Sequence, residues 1–297
     1  MNLSIKKYLR AAALVSIFGI FCAESFAAGT KFLIAGCNWN KIAVVDKDTQ
    51  KISFLYEIPQ YSECNSAVLT KDKKLFYTNK RNARIVNPKT SEILWEENAN
   101  NGEEYHTADV LKNGRLLLGV CGRPARIVEM SSSGKVLSEV KFETGVESVH
   151  MQFRKIAKNR KGNYYVGLFG GRALLEVSPK GEILKNIKLD VGVFAVKELA
   201  SGGVLISGDG GKIRIINPET GEVLRRIDSK SIEGAELLFA TEARMLKNGN
   251  LLITNWNGHS KDKSQPKILE ITPENKIVWK LNNNGQIDNV SSICVLK

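Results

Sequence analysis

The chain carries three histidines, His106, His150 and His259. An imidazole titrates nearest neutrality of all side chains, which suits it to general acid–base work or to metal ligation. Glu63 and Glu242 are the acids in comparable stretches, so the catalytic candidates are His106, His150, Glu63 and Glu242. The competing role for each histidine is to cap a strand end by bonding a loop carbonyl. Arg154 and Arg244 carry planar donor forks that match a carboxylate or sulfate. Their competing role is a polar network with Glu242 or Asp109 on neighbouring strands. Trp39 and Trp256 each sit inside an Asn-Trp-Asn triplet. An indole between amides can stack on a sugar ring and bond its hydroxyls, or it can pack across the top of a sheet. With Asn65, Gln152 and His259, the expected ligand-binding set is Asn65, His106, His150, Gln152, Arg154, Glu242, Arg244, Trp39, Trp256 and His259. His, Cys and acidic residues fall into no metal-ligand spacing, so neither a metal set nor a cofactor is expected.

Four cysteines lie beyond the N-terminal region: Cys37, Cys64, Cys121 and Cys294. Their wide separation excludes a CxxC redox or zinc motif. At most one disulfide is expected, Cys37–Cys64, in a fold that does not depend on it. Gly208–Gly211 (GDGG) reads as a hairpin turn, because no helix follows it to cradle a phosphate.

A repeated unit must position these groups. His106–Leu118 (HTADVLKNGRLLL) reads as a strand, a Lys-Asn-Gly turn and a second strand. Two more strands follow at Ala125–Met130 and 135–142. Aligned on the apolar residue before the first turn, the unit recurs at Leu69, Leu111, Ala157, Leu199, Leu246 and Leu296, at separations of 42, 46, 42, 47 and 50 residues. Four short strands at this period are the signature of a β-propeller. The chain ends on a first strand with nothing after it (ICVLK). It opens, at Lys31–Gly36 (KFLIAG), on a second strand with nothing before it. The expected fold is therefore all-β, a six-bladed propeller of four-stranded blades, closed where the C-terminal strand joins the first blade. In that topology the 4→1 and 2→3 loops share one face and hold all three histidines and all four cysteines. The opposite face carries bland turns such as KNG, SGG and PETGE. A ligand funnel is expected on the first face, where loops from several blades converge.

The first 27 residues read separately. Lys6, Lys7 and Arg10 precede an apolar run, Ala11–Cys22, too short for a membrane span, and Ser25-Phe26-Ala27 offers small residues for signal peptidase. Cleavage is expected after Ala27, leaving residues 28–297 as the propeller. A lipid anchor on Cys22 is the alternative, opposed by bulky Phe21. Loss of three cations and one acid lowers the formal net charge from +12 to +10. That charge is dispersed, as on a soluble surface. No nucleic-acid motif and no membrane span are present in the sequence, and a periplasmic or secreted monomer is expected.

The turns at 217–224 (NPETGEVL) and 87–95 (NPKTSEILW) resemble the repeat of PQQ-like, quinoprotein-type propellers. HTADVLKNGRLLLG is similar to repeats of arylsulfotransferase-like propellers. The chain as a whole resembles exported propellers of Bacteroides-type bacteria, through Glu63–Ser66 (ECNS), His150–Arg154 (HMQFR) and Asn255–His259 (NWNGH). Quinoprotein dehydrogenases have eight blades, adjacent cysteines and a calcium site. None of these is in the sequence, so the resemblance implies the fold without the quinone. The expected function is binding of a polar small molecule, a carbohydrate or acidic glycan fragment. The alternatives are a lyase or hydrolase acting on such a ligand through the funnel histidines and glutamates, and a protein-binding scaffold.

Overall fold

The computed structural model describes residues 30–260, 263–283 and 285–296. The expected leader, residues 1–27, and Cys22 lie outside the described residues. Six four-stranded antiparallel sheets form a ring. The innermost strands are Ser292–Leu296, Ser66–Leu69, Glu104–Val110, Phe153–Lys158, Val193–Glu198 and Ala240–Met245, for blades one to six in turn. Among the described residues helix is limited to two single 3-10 turns, Val149–Met151 and Asp209–Gly211. Among the described residues no helix is long and apolar enough to cross a membrane.

Burial explains why each sequence segment takes its place. Middle strands pack against blades on both sides and are mostly apolar: every residue of Leu116–Cys121 (LLLGVC) is buried. Outermost strands have one wet face and alternate, as Ile277–Leu281 (IVWKL) does. Apolar clusters lie between adjacent blades, so each sheet supplies half of two interfaces. Trp279 carries the seam from blade six to blade one, with its ring edge-on to Phe32 at 5.6 Å and its Nε1 donating to Lys47 O at 2.9 Å.

The ring closes as the sequence implies. Ser292–Leu296 pairs with Lys31–Gly36 over five residue pairs, from Lys31 opposite Leu296 to Ala35 opposite Ser292. Ser291 N donates to Ala35 O at 3.0 Å, extending the seam by one bond. At its end the chain passes so close to Gly36 that a Cβ there would lie 1.5 Å from the Asn289 carbonyl oxygen. Truncation after Ser291 removes the inner strand of blade one and unpairs both termini. Thermal unfolding is expected to show a large fall in Tm. Gly36→Ala, a single-methyl version of the same disruption, is expected to lower it by an intermediate amount. An unchanged midpoint in the truncated protein overturns the closure.

Candidate functional site

Four innermost strands carry a β-bulge at the same end, in blades three to six. His106, Phe194 and Thr241 are the extra residues where pairing skips one position, and Arg154 with Lys155 bulges against Gly167. A bulge breaks the regular alternation and re-aims side chains. Arg154, Phe194 and Thr241 line a funnel of about 530 Å³, and the residues next to them, Lys155, Ala195 and Glu242, point to the axis below. One wall of the funnel is aromatic. Phe169 and Phe194 flank Phe239, with ring centroids 5.9 and 5.5 Å from it, and Trp256 follows at 5.7 Å. His259 sits edge-on to Trp256 at 4.6 Å. The other wall is polar: Glu63, Lys80, His150 and Arg154.

Glu104, on the innermost strand of blade three, organises the polar side. Its Oε2 lies 2.9 Å from His106 Nε2 and 2.8 Å from His150 Nδ1, and its Oε1 lies 3.3 Å from Lys80 Nζ. The far side of each imidazole meets a donor. Asn65 Nδ2 is 3.0 Å from His106 Nδ1, and Arg154 Nη2 is 3.0 Å from His150 Nε2. The partners set both tautomers: each imidazole donates an N–H to Glu104 and accepts on its outer nitrogen. Asn65 cannot be reversed, because its amide nitrogen also donates to Glu63 Oε1 at 2.6 Å. Arg154 anchors the His150 turn, with Nη1 donating to His150 O at 2.6 Å. The His106 ring is fully buried, whereas the His150 side chain is 42% exposed to the funnel.

These surroundings set the proton affinities. Burial, reinforced by the Arg154 guanidinium, pushes His106 down to about 4, against the pull of Glu104 and Glu63. Burial also opposes ionisation of Glu104, but hydrogen bonds from His106 and His150 outweigh it and hold the carboxyl far below its usual range. For Glu63 too burial is overcome, by His106, Arg154 and the Asn65 amide.

Glu104, His106 and His150 are, among the described residues, a trio whose ligating atoms gather within 4.8 Å. A metal held there would need each imidazole to turn a lone pair inward and give its outer N–H to an acceptor. Both outer neighbours are donors, and one is fixed by Glu63. The donor set fits a carboxylate between two imidazole N–H groups and does not fit a cation.

The structure separates the other expected site residues. Glu242 is buried at the axis, paired with Lys155 and, at 2.5 Å, with Arg244, while its Oε2 accepts from Ile293 N at 2.9 Å. Arg244 Nε donates to Ile293 O at 2.5 Å, so both groups belong to a network below the funnel. Gln152 clamps a loop, bonding both backbone atoms of Gly122 at 2.9 Å. Trp39 is buried against Phe54 and contributes nothing to the funnel, unlike its sequence counterpart Trp256. Asn65 is buried beneath the funnel and acts through His106. The four cysteines are free thiols. Burial raises all of them, Cys64 and Cys121 to about 12, which makes them poor nucleophiles. Sequence reasoning missed Glu104, Lys80 and the three phenylalanines. The one available signal was Glu104, two residues before His106 on one strand.

A family model described as Mal s 1 allergenic protein-like matches residues 32–276. The chain belongs to that family. A Bacteroides caccae protein of unknown function shares 36% identity over 91% of this chain and 99% of its own, with a TM-score of 0.86. The Bacteroides likeness thus extends over the chain. A catalytically inactive Staphylococcus aureus virginiamycin B lyase, solved with quinupristin, is 16% identical over 89% of this chain and 88% of its own, TM-score 0.60. A chain of a nidogen/laminin complex is 15% identical over 90% and 98%, TM-score 0.63. These two share the fold. No curated protein matches the chain.

His106 makes a pH prediction. Its folded pKa is depressed, so as pH falls from about 6.5 to about 4 the unfolded chain takes up a proton that the folded chain refuses. Stability is fully present above that window and is lost within it, by up to about 3 kcal/mol from this group. Denaturant melts across pH 4–7 are expected to show the slope in the wild type and a flatter one in His106→Gln. A slope that survives the substitution places the titration elsewhere.

Proposed function

We propose that the funnel binds a carbohydrate ring or a similar small polyhydroxylated molecule. The observation that carries this reading is the Arg154 Nη2–His150 Nε2 pair, 3.0 Å apart beside the aromatic wall. One side of that pair donates and the other accepts. A hydroxyl does both, so it can insert by accepting from Arg154 and donating to His150. A carboxylate only accepts, and it would present its lone pairs to the lone pair of Nε2. The charge balance agrees, since Lys80 and Arg154 are offset by Glu63 and Glu104. Neutral glycans are therefore favoured over acidic ones, which narrows the expectation from sequence. The apolar face of a sugar ring fits against Phe169, Phe239 and Trp256. Export, read from residues 1–27, is part of this proposal and would bring the funnel to extracellular glycans.

A second reading is favoured by one feature. Glu104 orients His150 through Nδ1, and the imidazole is half exposed. That is how a general base is built, and it supports an enzyme acting on the same ligand class.

Calorimetric titration with neutral and acidic oligosaccharides tests both readings. Neutral members are expected to bind more tightly. His150→Ala and Trp256→Ala are each expected to weaken binding about tenfold or more, roughly 1.4 kcal/mol. The stability cost is expected to stay within about 1–3 kcal/mol, from the donor withdrawn from Glu104. Tighter binding of acidic members overturns the hydroxyl clamp, and silence across the panel overturns the ligand class. Turnover of a bound member, lost in His150→Ala, decides for the enzyme.

A further inference from the structure

Below the funnel the axis holds a narrow void of about 20 Å³. That is room for a single water or a single small ion. Five ionisable side chains from four inner strands wall it: Asp109, Lys155, Lys197, Glu242 and Arg244. Three are cations and two are carboxylates, so the walls carry a net charge of +1. Both carboxylates are already taken. Glu242 accepts from Lys155, Arg244 and the Ile293 amide. Asp109 accepts from Lys197 Nζ at 3.0 Å and from its neighbour Val110 N at 2.8 Å.

Donors are in surplus by the same accounting. Lys155 Nζ has three protons and two acceptors, Glu242 and the Ser292 hydroxyl at 3.1 Å. Lys197 Nζ gives one proton to Asp109, and the rest of the ammonium is shared with the cleft, where 44% of its side chain is exposed. Ser292 Oγ accepts from Lys155 and from Ala67 N at 3.4 Å, and its own proton meets no acceptor. By contrast, Ser66 and Thr107 commit their hydroxyl protons to the carbonyls of Ala108 and Arg154. Uncommitted N–H and O–H groups around a narrow, positively charged void ask for an acceptor carrying negative charge.

We propose that this void is a site for one monatomic monovalent anion, a halide, bound on the propeller axis by Lys155, Lys197 and Ser292. A cation is opposed by the net charge, and a polyatomic anion does not fit the volume. Access is from the turn side, where Asp109 and Lys197 also line an open cleft of about 490 Å³. Lys197, with 44% of its side chain exposed, stands between the two. The halide locks blades one, four and five to a common centre, and its site is separate from the funnel.

Two measurements test this on the whole protein. In crystals grown with sodium bromide, an anomalous peak is expected on the axis between Lys155, Lys197 and Ser292. In thermal melts at constant ionic strength, exchanging gluconate for chloride or bromide is expected to raise Tm saturably, by roughly 3–5 °C at tenfold excess over Kd. Lys197→Met, at a partly exposed position that tolerates the change, is expected to fold and to lose both effects. Lys155→Met removes the deeper donor and is expected to do the same at a lower starting Tm. Ordered water without anomalous signal overturns the site. So does a Tm that follows ionic strength whichever anion is present, or a halide response that survives in Lys197→Met.

Discussion

A ring of sheets has one seam that chain connectivity does not make for it, and here five residues make it. Ser292–Leu296 pairs with Lys31–Gly36, and that pairing alone joins the two ends of the ring within one sheet. Without it blade one is a three-stranded sheet with a bare inner edge, and the axis loses Ser292 and the Ile293 backbone. Those groups bind Lys155, Glu242 and Arg244, which come from blades four and six. Sequence-distant ends thus fix the charges at the centre. The close approach at Gly36 shows how little slack the closing turn has.

Two polar systems with different chemistry are stacked on one axis. The upper one is built on Glu104, whose carboxylate accepts from two imidazoles, and His150 carries it to the open funnel. The lower one is an ion network closed to the funnel, in which charge is balanced to within one unit. They are a single residue apart along the chain, since Arg154 serves the funnel and Lys155 the axis, as do Thr241 and Glu242. Low dielectric makes both arrangements strict, because a buried donor without a partner costs as much as a lost hydrogen bond.

The blade period, the number of blades and the closing strand were legible because they are written in apolar spacing and turn residues, which respond to local rules. The face carrying the site was legible from loop topology, and it brought His106 and His150 within 6.0 Å ring to ring. The membership of the site was less so. Asn-Trp-Asn at residues 38–40 and at 255–257 look alike, yet Trp39 begins a buried strand and Trp256 stays in the funnel. Glu242 and Arg244 face the axis as read, but one layer too deep. Glu104 carries no mark in the sequence, because its role comes from His150, which the next blade places beside it. A bulge shifts register by a residue without leaving a mark in composition, and four of them aim this site.

Those four bulges are equivalent positions with different occupants. Each adds one or two residues to an inner strand while the flanking ladder stays regular, and they hold histidine, arginine with lysine, phenylalanine and threonine. One backbone device, repeated from blade to blade, thus turns a nearly symmetric ring into an asymmetric floor: blade three presents an imidazole, blade four a guanidinium and an ammonium, blade five an aromatic ring and blade six a hydroxyl.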